Sequence, residues 1–171
     1  MEYAPAISTI LSPEYLAEFV IKRYGFNQST TCRVLKTGIN HSYLVAASDK
    51  KFVPRVYFLH WRTESEIREE LALLDYLKEN GVSVSYPVKN RDDRYINCIS
   101  ALEGDRLAVL FSYAEGELVK NPSENAVFQL GLTMAKIHRL TVNKTLNRKS
   151  YDANSLVNWA LQLAREHFTE P

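Results

Sequence analysis

The stretch ESEIREELALLDYLKENG, Glu64 to Gly81, puts Ile67, Leu71, Leu74 and Leu77 on one stripe of a 3.6-residue helix and then sets Glu70 among them. Its boundaries are legible at both ends. Thr63 and Glu66 have capping-box spacing, and Asn80-Gly81 supplies the stop expected of a left-handed C-terminal residue. The carboxylate is the anomaly, because an isolated charge turned toward a core costs several kcal/mol and therefore needs a cation beside it.

The cation is sought upstream. TTCRVLKTGINHSYLVAASDKKFVPRVYF, beginning at Thr30, carries three strand-like runs separated by the turn chemistry of TGIN and SDKK, which predicts a three-strand antiparallel meander. In the third run, KFVPRVY, Arg55 is the one cation in the middle, and a helix packing back on the same sheet would bring it to Glu70. Glu66, one turn earlier, is the alternative partner, and the spacing alone leaves both open. Before the meander, Ser12-Pro13-Glu14 starts a helix with Ser12 as cap and Pro13 at its first position, and Gly25 ends it. After the Glu70 helix, RYINCIS and RLAVLFSY read as two further strands joined through ALEGD, with Gly104-Asp105 as the turn.

Beyond Gly116 the composition changes. PSENAVFQLGLTMAKIHRL and DANSLVNWALQLAREHF both read as helices, the first with Val127, Leu130, Met134 and Ile137 at core spacing. The expectation is an α+β fold: a five-stranded antiparallel sheet with one helix inserted between its third and fourth strands, then a switch to helices at SYAEGE. In the second helix, Leu156, Leu161 and Leu163 fall on more than one side, which predicts exposed apolar surface and self-association unless other helices cover it.

The bulk composition excludes several classes of function. The chain has 171 residues, 46% of them hydrophobic, and a net charge of +1 from 21 basic and 20 acidic side chains. With no long block of one sign, nucleic acid and anionic membrane surfaces are not expected partners. Cys32 and Cys98 lack metal-ligand spacing and read as buried free thiols. YAPAISTIL is too short and interrupted for a membrane span or a secretory signal, so a cytoplasmic protein is expected. His138 sits near a helix end, where packing or capping is the plainer role, and His41, His60 and His167 share no spacing with it.

Five stretches in order resemble the amino-terminal part of the aminoglycoside phosphotransferase family, which includes choline and homoserine kinases. LKTGINHSYLV resembles the hairpin that covers the nucleotide phosphates, FVPRVY the third strand, and EELALLDYLKENGVSVSYPV the following helix and loop. LAVLFSYAEGE resembles the last strand and hinge, and LGLTMAKIHRL the first long helix of the large lobe. The resemblance implies a protein-kinase-like small lobe over residues 1–111, a hinge over 112–117, and the first helices of an incomplete helical lobe over 118–171. It implies ATP and Mg2+ as cofactors and a small-molecule hydroxyl as acceptor. Gly38 and Asn40 would lie in the phosphate-covering turn, Arg55 would contact the α and β phosphates, and Glu70 would orient Arg55. Backbone groups near Ser112, Tyr113 and Ala114 would meet the adenine edge.

Two departures accompany the resemblance. Pro54 sits beside Arg55 in what should be a central strand, where a proline removes a ladder donor. The family transfers phosphate with a downstream His-Gly-Asp and Asn loop and a further metal-binding Asp, whereas here the only aspartate after Gly116 is Asp152, without a preceding histidine. No catalytic or metal-binding residue is therefore assigned. The expectation is a truncated phosphotransferase that binds nucleotide weakly and does not turn over; the alternative is a non-catalytic nucleotide- or protein-binding module.

Overall fold

The computed structural model describes residues 8–116, 119–148 and 152–167. The expectations for the outermost residues, for Glu117 in the hinge, and for Leu118, 149–151 and 168–171 in the helical part lie outside them. Helix α1 spans Pro13–Tyr24, followed by strands β1 (Thr31–Lys36), β2 (Asn40–Ala47) and β3 (Lys50–Tyr57) and helix α2 (Glu64–Glu79). Strands β4 (Pro87–Val88), β5 (Ile96–Ala101) and β6 (Gly104–Ser112) come next, then helices α3 (Glu124–Thr141) and α4 (Ala153–His167).

Both early helices begin and end as their residues dictate. Ser12 Oγ accepts from the Tyr15 amide, Pro13 occupies the first turn, and Gly25 closes α1 at φ 75°. The positive φ is what favours glycine there; a side chain at Gly25 would also meet the Arg91 guanidinium, which can swing aside. The capping box of α2 is complete, with Thr63 and Glu66 each bonding the other's backbone amide.

The sheet is antiparallel, in the order β1-β2-β3-β6-β4, with β5 also pairing β6. Its sixth strand, β4, is not visible in the sequence, because two residues, one of them a proline, carry no periodicity. The turn before β6 also differs from expectation. Ala101 pairs with Gly104, so Leu102 and Glu103 form the turn and Gly104 already belongs to the strand. Glu103 is held inward by Thr9, whose amide (3.1 Å) and hydroxyl (2.7 Å) both donate to its carboxylate.

Helices cover both faces of the sheet. On one face Leu16 of α1 packs with Tyr43, Val56, Ile99 and Ala108, and Val20 packs with Val45 and Leu110. On the other face Ile67 and Leu71 of α2 pack with Tyr57, Val109 and Phe111. At about 1.5–3 kcal/mol for each fully buried aliphatic or aromatic side chain, these clusters fix the register of β3, and with it the face on which Arg55 projects.

Pro54 is accommodated by a gap. β3 pairs β6 through Pro54 and Leu110, but its pairing with β2 lapses between Phe52 and Arg55. The register is the same on both sides of the gap, Ser42 with Arg55 and Val45 with Phe52, so the missing N–H removes rungs to β2 without turning Arg55 off the α2 face.

Two expectations are corrected. Cys32 is half-buried, but Cys98 is exposed, because it points outward from β5 at the margin of the sheet. The α3 stripe is not a core: Val127, Leu130 and Met134 are 53%, 60% and 49% exposed, and α3 has no buried residue. Ile137, at the end of the same stripe, is half-buried. His138 is exposed in the last turn of α3, at the helix end where the sequence puts it.

A buried polar network anchors the segment before α1. Arg106 donates from Nε to the Tyr57 carbonyl (2.9 Å) and from Nη1 to the Thr9 carbonyl (2.7 Å) and Glu103 Oε1 (3.2 Å). Burial pushes the Glu103 carboxyl up, but the Thr9 hydrogen bonds and the Arg106 charge outweigh it and hold the group below its ordinary range. His41 is also buried, and burial, followed by the Arg106 charge, lowers its pKa below 6.5, with Glu103 partly opposing. A base whose pKa falls on folding takes up its proton first in the unfolded chain, so its contribution is intact above about pH 6.5 and is lost as the pH drops toward the depressed value. The melting temperature is expected to fall between about pH 7.5 and about pH 5.5, and His41→Gln to flatten that fall. Equal slopes for the two proteins would clear His41 of the effect.

Candidate functional site

Arg55 and Glu70 meet across the β3 and α2 interface. Arg55 Nη1 donates to Glu70 Oε1 at 2.9 Å, and the pair is partly buried, with side chains 34% and 22% exposed. The guanidinium also lies over the Phe111 ring, 4.7 Å from its centroid, so the ring and the carboxylate together restrict its orientation. Glu66 is committed elsewhere: it closes the capping box and accepts from Arg62 Nη1 at 3.3 Å. The carboxylate that interrupts the apolar stripe is thus the one that holds the strand cation.

The pair sits in a cleft of about 450 Å³, a size within the range of small-molecule sites. Val53, Leu74, Val84 and Phe111 make its apolar walls, Ser85 adds a hydroxyl, and Ser112, Tyr113 and Ala114 form one rim. That rim is anchored on two sides. The Ser112 amide donates to the Tyr86 carbonyl (2.9 Å), the Ser85 hydroxyl donates to the Ser112 carbonyl, and the Tyr113 amide donates to the Lys51 carbonyl (3.4 Å). Lys51 in turn pairs with Glu115 (3.7 Å) and lies over the Tyr113 ring. Among the described residues nothing bonds the Tyr113 carbonyl or the Ala114 amide, so one acceptor and one donor of the rim backbone are left for a ligand.

Five of the seven residues singled out in the sequence, Arg55, Glu70, Ser112, Tyr113 and Ala114, line this one cleft. Gly38 and Asn40 do not. Asn40 Oδ1 accepts from the Phe58 amide (3.4 Å), a role within the hairpin, and a side chain added at Gly38 would meet nothing within 4 Å. Glycine there is demanded by no contact of the chain with itself.

Sequence reasoning missed two neighbours of the pair. Arg148, in the connection between α3 and α4, brings Nη2 to 4.0 Å from Glu70 Oε2. Tyr57 is 2% exposed, and its hydroxyl has no hydrogen-bond partner. Burial first, and then the Glu70 charge, push its pKa up to about 12, although Arg55 and Arg148 oppose this. The strand period does place Tyr57 on the same face as Arg55, two residues away, and was the available signal. A polar connection without periodicity gave none for Arg148.

A larger groove of about 610 Å³ beside β5 is lined by Arg94 and by charges that are paired, Arg68 with Glu64 and Asp93 with Lys89. Among the described residues no three His, Cys, Asp or Glu side chains gather where a metal ion could bind, and no helix is long and apolar enough to cross a membrane.

Comparison with known proteins agrees with this architecture. An uncharacterized protein of Synechocystis sp. is 37% identical over 136 residues, which cover 79% of this chain and 38% of that protein. A protein named homoserine kinase from Parvibaculum lavamentivorans is 23% identical over 145 residues, covering 85% of this chain and 44% of the kinase. Among solved structures, the amicoumacin kinase hAmiN in complex with AMP-PNP, Ca2+ and Ami superposes with a TM-score of 0.70 at 18% identity, over 88% of this chain and 48% of that one. The chain spans about half the length, or less, of the curated relatives it matches. The family model for the phosphotransferase enzyme family matches residues 31–168, and with most of the chain inside that match, this protein belongs to the phosphotransferase enzyme family.

Proposed function

We propose that this chain carries the nucleotide-holding part of an ATP-dependent kinase that phosphorylates a hydroxyl of a small molecule. The observation that carries the reading is the Arg55 and Glu70 pair on the wall of a cleft whose rim offers one free carbonyl and one free amide. Arg55 supplies a forked cation for phosphate oxygens while Glu70 keeps it aimed, and the Tyr113 carbonyl and Ala114 amide match the donor and acceptor on the edge of adenine. Gly38 and Asn40 belong to the reading as the turn that would close over the phosphates. Residues 1–111 act as the small lobe, 112–117 as the hinge, and 118–171 as the start of a helical lobe. The site is cytoplasmic, where ATP is at hand.

ATP supplies the transferable phosphoryl group. Magnesium, used with ATP throughout such chemistry, is placed on no residue of this chain. The described residues of the cleft bind and orient, and its one carboxylate, Glu70, is engaged in holding Arg55. Weak nucleotide binding without turnover is the activity proposed for these 171 residues. The test is a calorimetric titration of the folded chain with ATP and magnesium. Saturable heat is expected, and its absence from protein shown to be folded would sink the reading.

One further observation favours a second property. Leu130, Met134, Leu156 and Leu161 are 60%, 49%, 53% and 49% exposed on α3 and α4. Self-association through these helices follows if nothing else covers them. Sedimentation velocity is expected to show mass rising with concentration, and a strictly monomeric boundary would remove this property and leave the nucleotide reading standing. A non-catalytic protein-binding module, the alternative reading, would keep such association and be indifferent to ATP.

A further inference from the structure

Glu70 is approached from two distant parts of the chain. Arg55 of β3 donates to Oε1 at 2.9 Å, and Arg148 of the connection between α3 and α4 stands 4.0 Å from Oε2. Two other contacts seat that part of the chain against α2. Lys136 Nζ donates to the Gly81 carbonyl at 2.7 Å, and Lys144 Nζ lies 3.7 Å from the centroid of the Tyr76 ring. Arg148 is therefore brought to Glu70 by a docked segment.

The cluster carries more donors than acceptors. Two guanidinium groups share one carboxylate, which leaves one net positive charge, and each arginine has N–H groups beyond the one facing Glu70. Tyr57, buried two residues along the same face of β3 from Arg55, adds a hydroxyl that finds no acceptor among the described residues, within the field of Arg55, Glu70 and Arg148. A buried hydroxyl without an acceptor is uncommon in a settled fold, and here one lies beside a surplus cation whose two guanidinium groups are partly exposed. A multiply charged anion with several oxygens is the chemical complement.

Resting on the nucleotide reading above, we infer that Arg148 and Tyr57 join Arg55 in one site for a phosphate chain. Arg148 supplies its second cation and the Tyr57 hydroxyl a buried donor. The site then spans the sheet and the α3 to α4 connection, so the phosphates themselves bridge the two parts of the chain.

The test compares ATP, AMP and inorganic tripolyphosphate in titrations of the full chain, wild type against Arg148→Gln, Arg148→Lys and Tyr57→Phe. Arg148→Gln is expected to weaken ATP about tenfold, the size of one charge-assisted hydrogen bond, while changing AMP less than about twofold. Arg148→Lys should recover part of the loss, and Tyr57→Phe should weaken ATP about threefold, the lower end of a neutral hydrogen bond. If Arg148 only latches the connection to α2, the melting temperature will drop while the ratio of ATP to AMP affinity stays at the wild-type value, and that result overturns the inference alone. Tripolyphosphate binding that Arg148→Gln weakens, in a chain that binds no nucleotide, would keep the anion site and discard the nucleotide reading. A wild-type chain that binds neither ATP nor tripolyphosphate overturns both.

Discussion

Arg106→Met is expected to lower the melting temperature by on the order of 10 °C, corresponding to about 3–5 kcal/mol. Both partners of the pair are removed from water, with Arg106 0% and Glu103 2% exposed at the side chain. Forming such a pair gains little over a well-packed apolar pair, because desolvation offsets the attraction. Breaking one is different, since it leaves a buried carboxylate without its cation and strips partners from the Tyr57 and Thr9 carbonyls. The loss also releases the segment that leads into α1, whose Leu16 and Val20 pack on one face of the sheet. Arg106→Met combined with Glu103→Gln should recover part of the stability, because the stranded charge is gone. By contrast, the Arg68 and Glu64 pair, 68% and 51% exposed, is worth less than about 1 kcal/mol. A melt of Arg106→Met that matches the wild type by circular dichroism would show that the network is dispensable.

Arg55→Ala is expected to weaken ATP binding by about a hundredfold, which in a weak binder means that calorimetry no longer detects it. Two charge-assisted hydrogen bonds from a forked guanidinium are worth about 1.5–3 kcal/mol each, and a hundredfold loss corresponds to about 2.7 kcal/mol. The substitution also removes the surplus positive charge, because Glu70 is then balanced by Arg148 alone. Arg55→Lys keeps the charge but not the fork and should fall between the two. Since Arg55 is 34% exposed, its removal should move the melting temperature by only a few degrees, so loss of binding will not be mistaken for unfolding. Equal affinities for wild type and Arg55→Ala would show that ATP binds elsewhere.

The parts of this fold that were legible are those in which local chemistry and burial agree. Helix α2 announced itself through the Thr63 and Glu66 capping box and the Ile67, Leu71 and Leu77 stripe, and β2 through the strict alternation that buries His41, Tyr43, Val45 and Ala47. The Arg55 and Glu70 pair could be anticipated because a carboxylate on an apolar stripe demands a cation and the neighbouring strand held one. What stayed hidden depends on long-range packing. Strand β4 exists only because Pro87 and Val88 are drawn against Phe111 and Leu110. Glu103 occupies a turn because Thr9 and Arg106, far away in sequence, hold its carboxylate. The α3 stripe misled for the opposite reason: its spacing reports a surface able to be buried, and periodicity cannot say whether anything in the described chain does so.

The interrupted pairing around Pro54 has a mechanical consequence. A sheet resists bending in proportion to the rungs that join its strands, and between β2 and β3 the rungs are missing beside Arg55 while the ladder from β3 to β6 continues. The β1 and β2 hairpin is therefore attached to the rest of the sheet at two points with a slack interval between them. Amide exchange should register this as faster exchange at Tyr43, which lies opposite Pro54, than at Val45, which pairs with Phe52. The turn holding Gly38 lies beyond the Asn40 to Ser42 rungs, which fasten that end of the hairpin to Tyr57, Val56 and Arg55, so the turn and the strand that carries the guanidinium are joined on the far side of the slack interval.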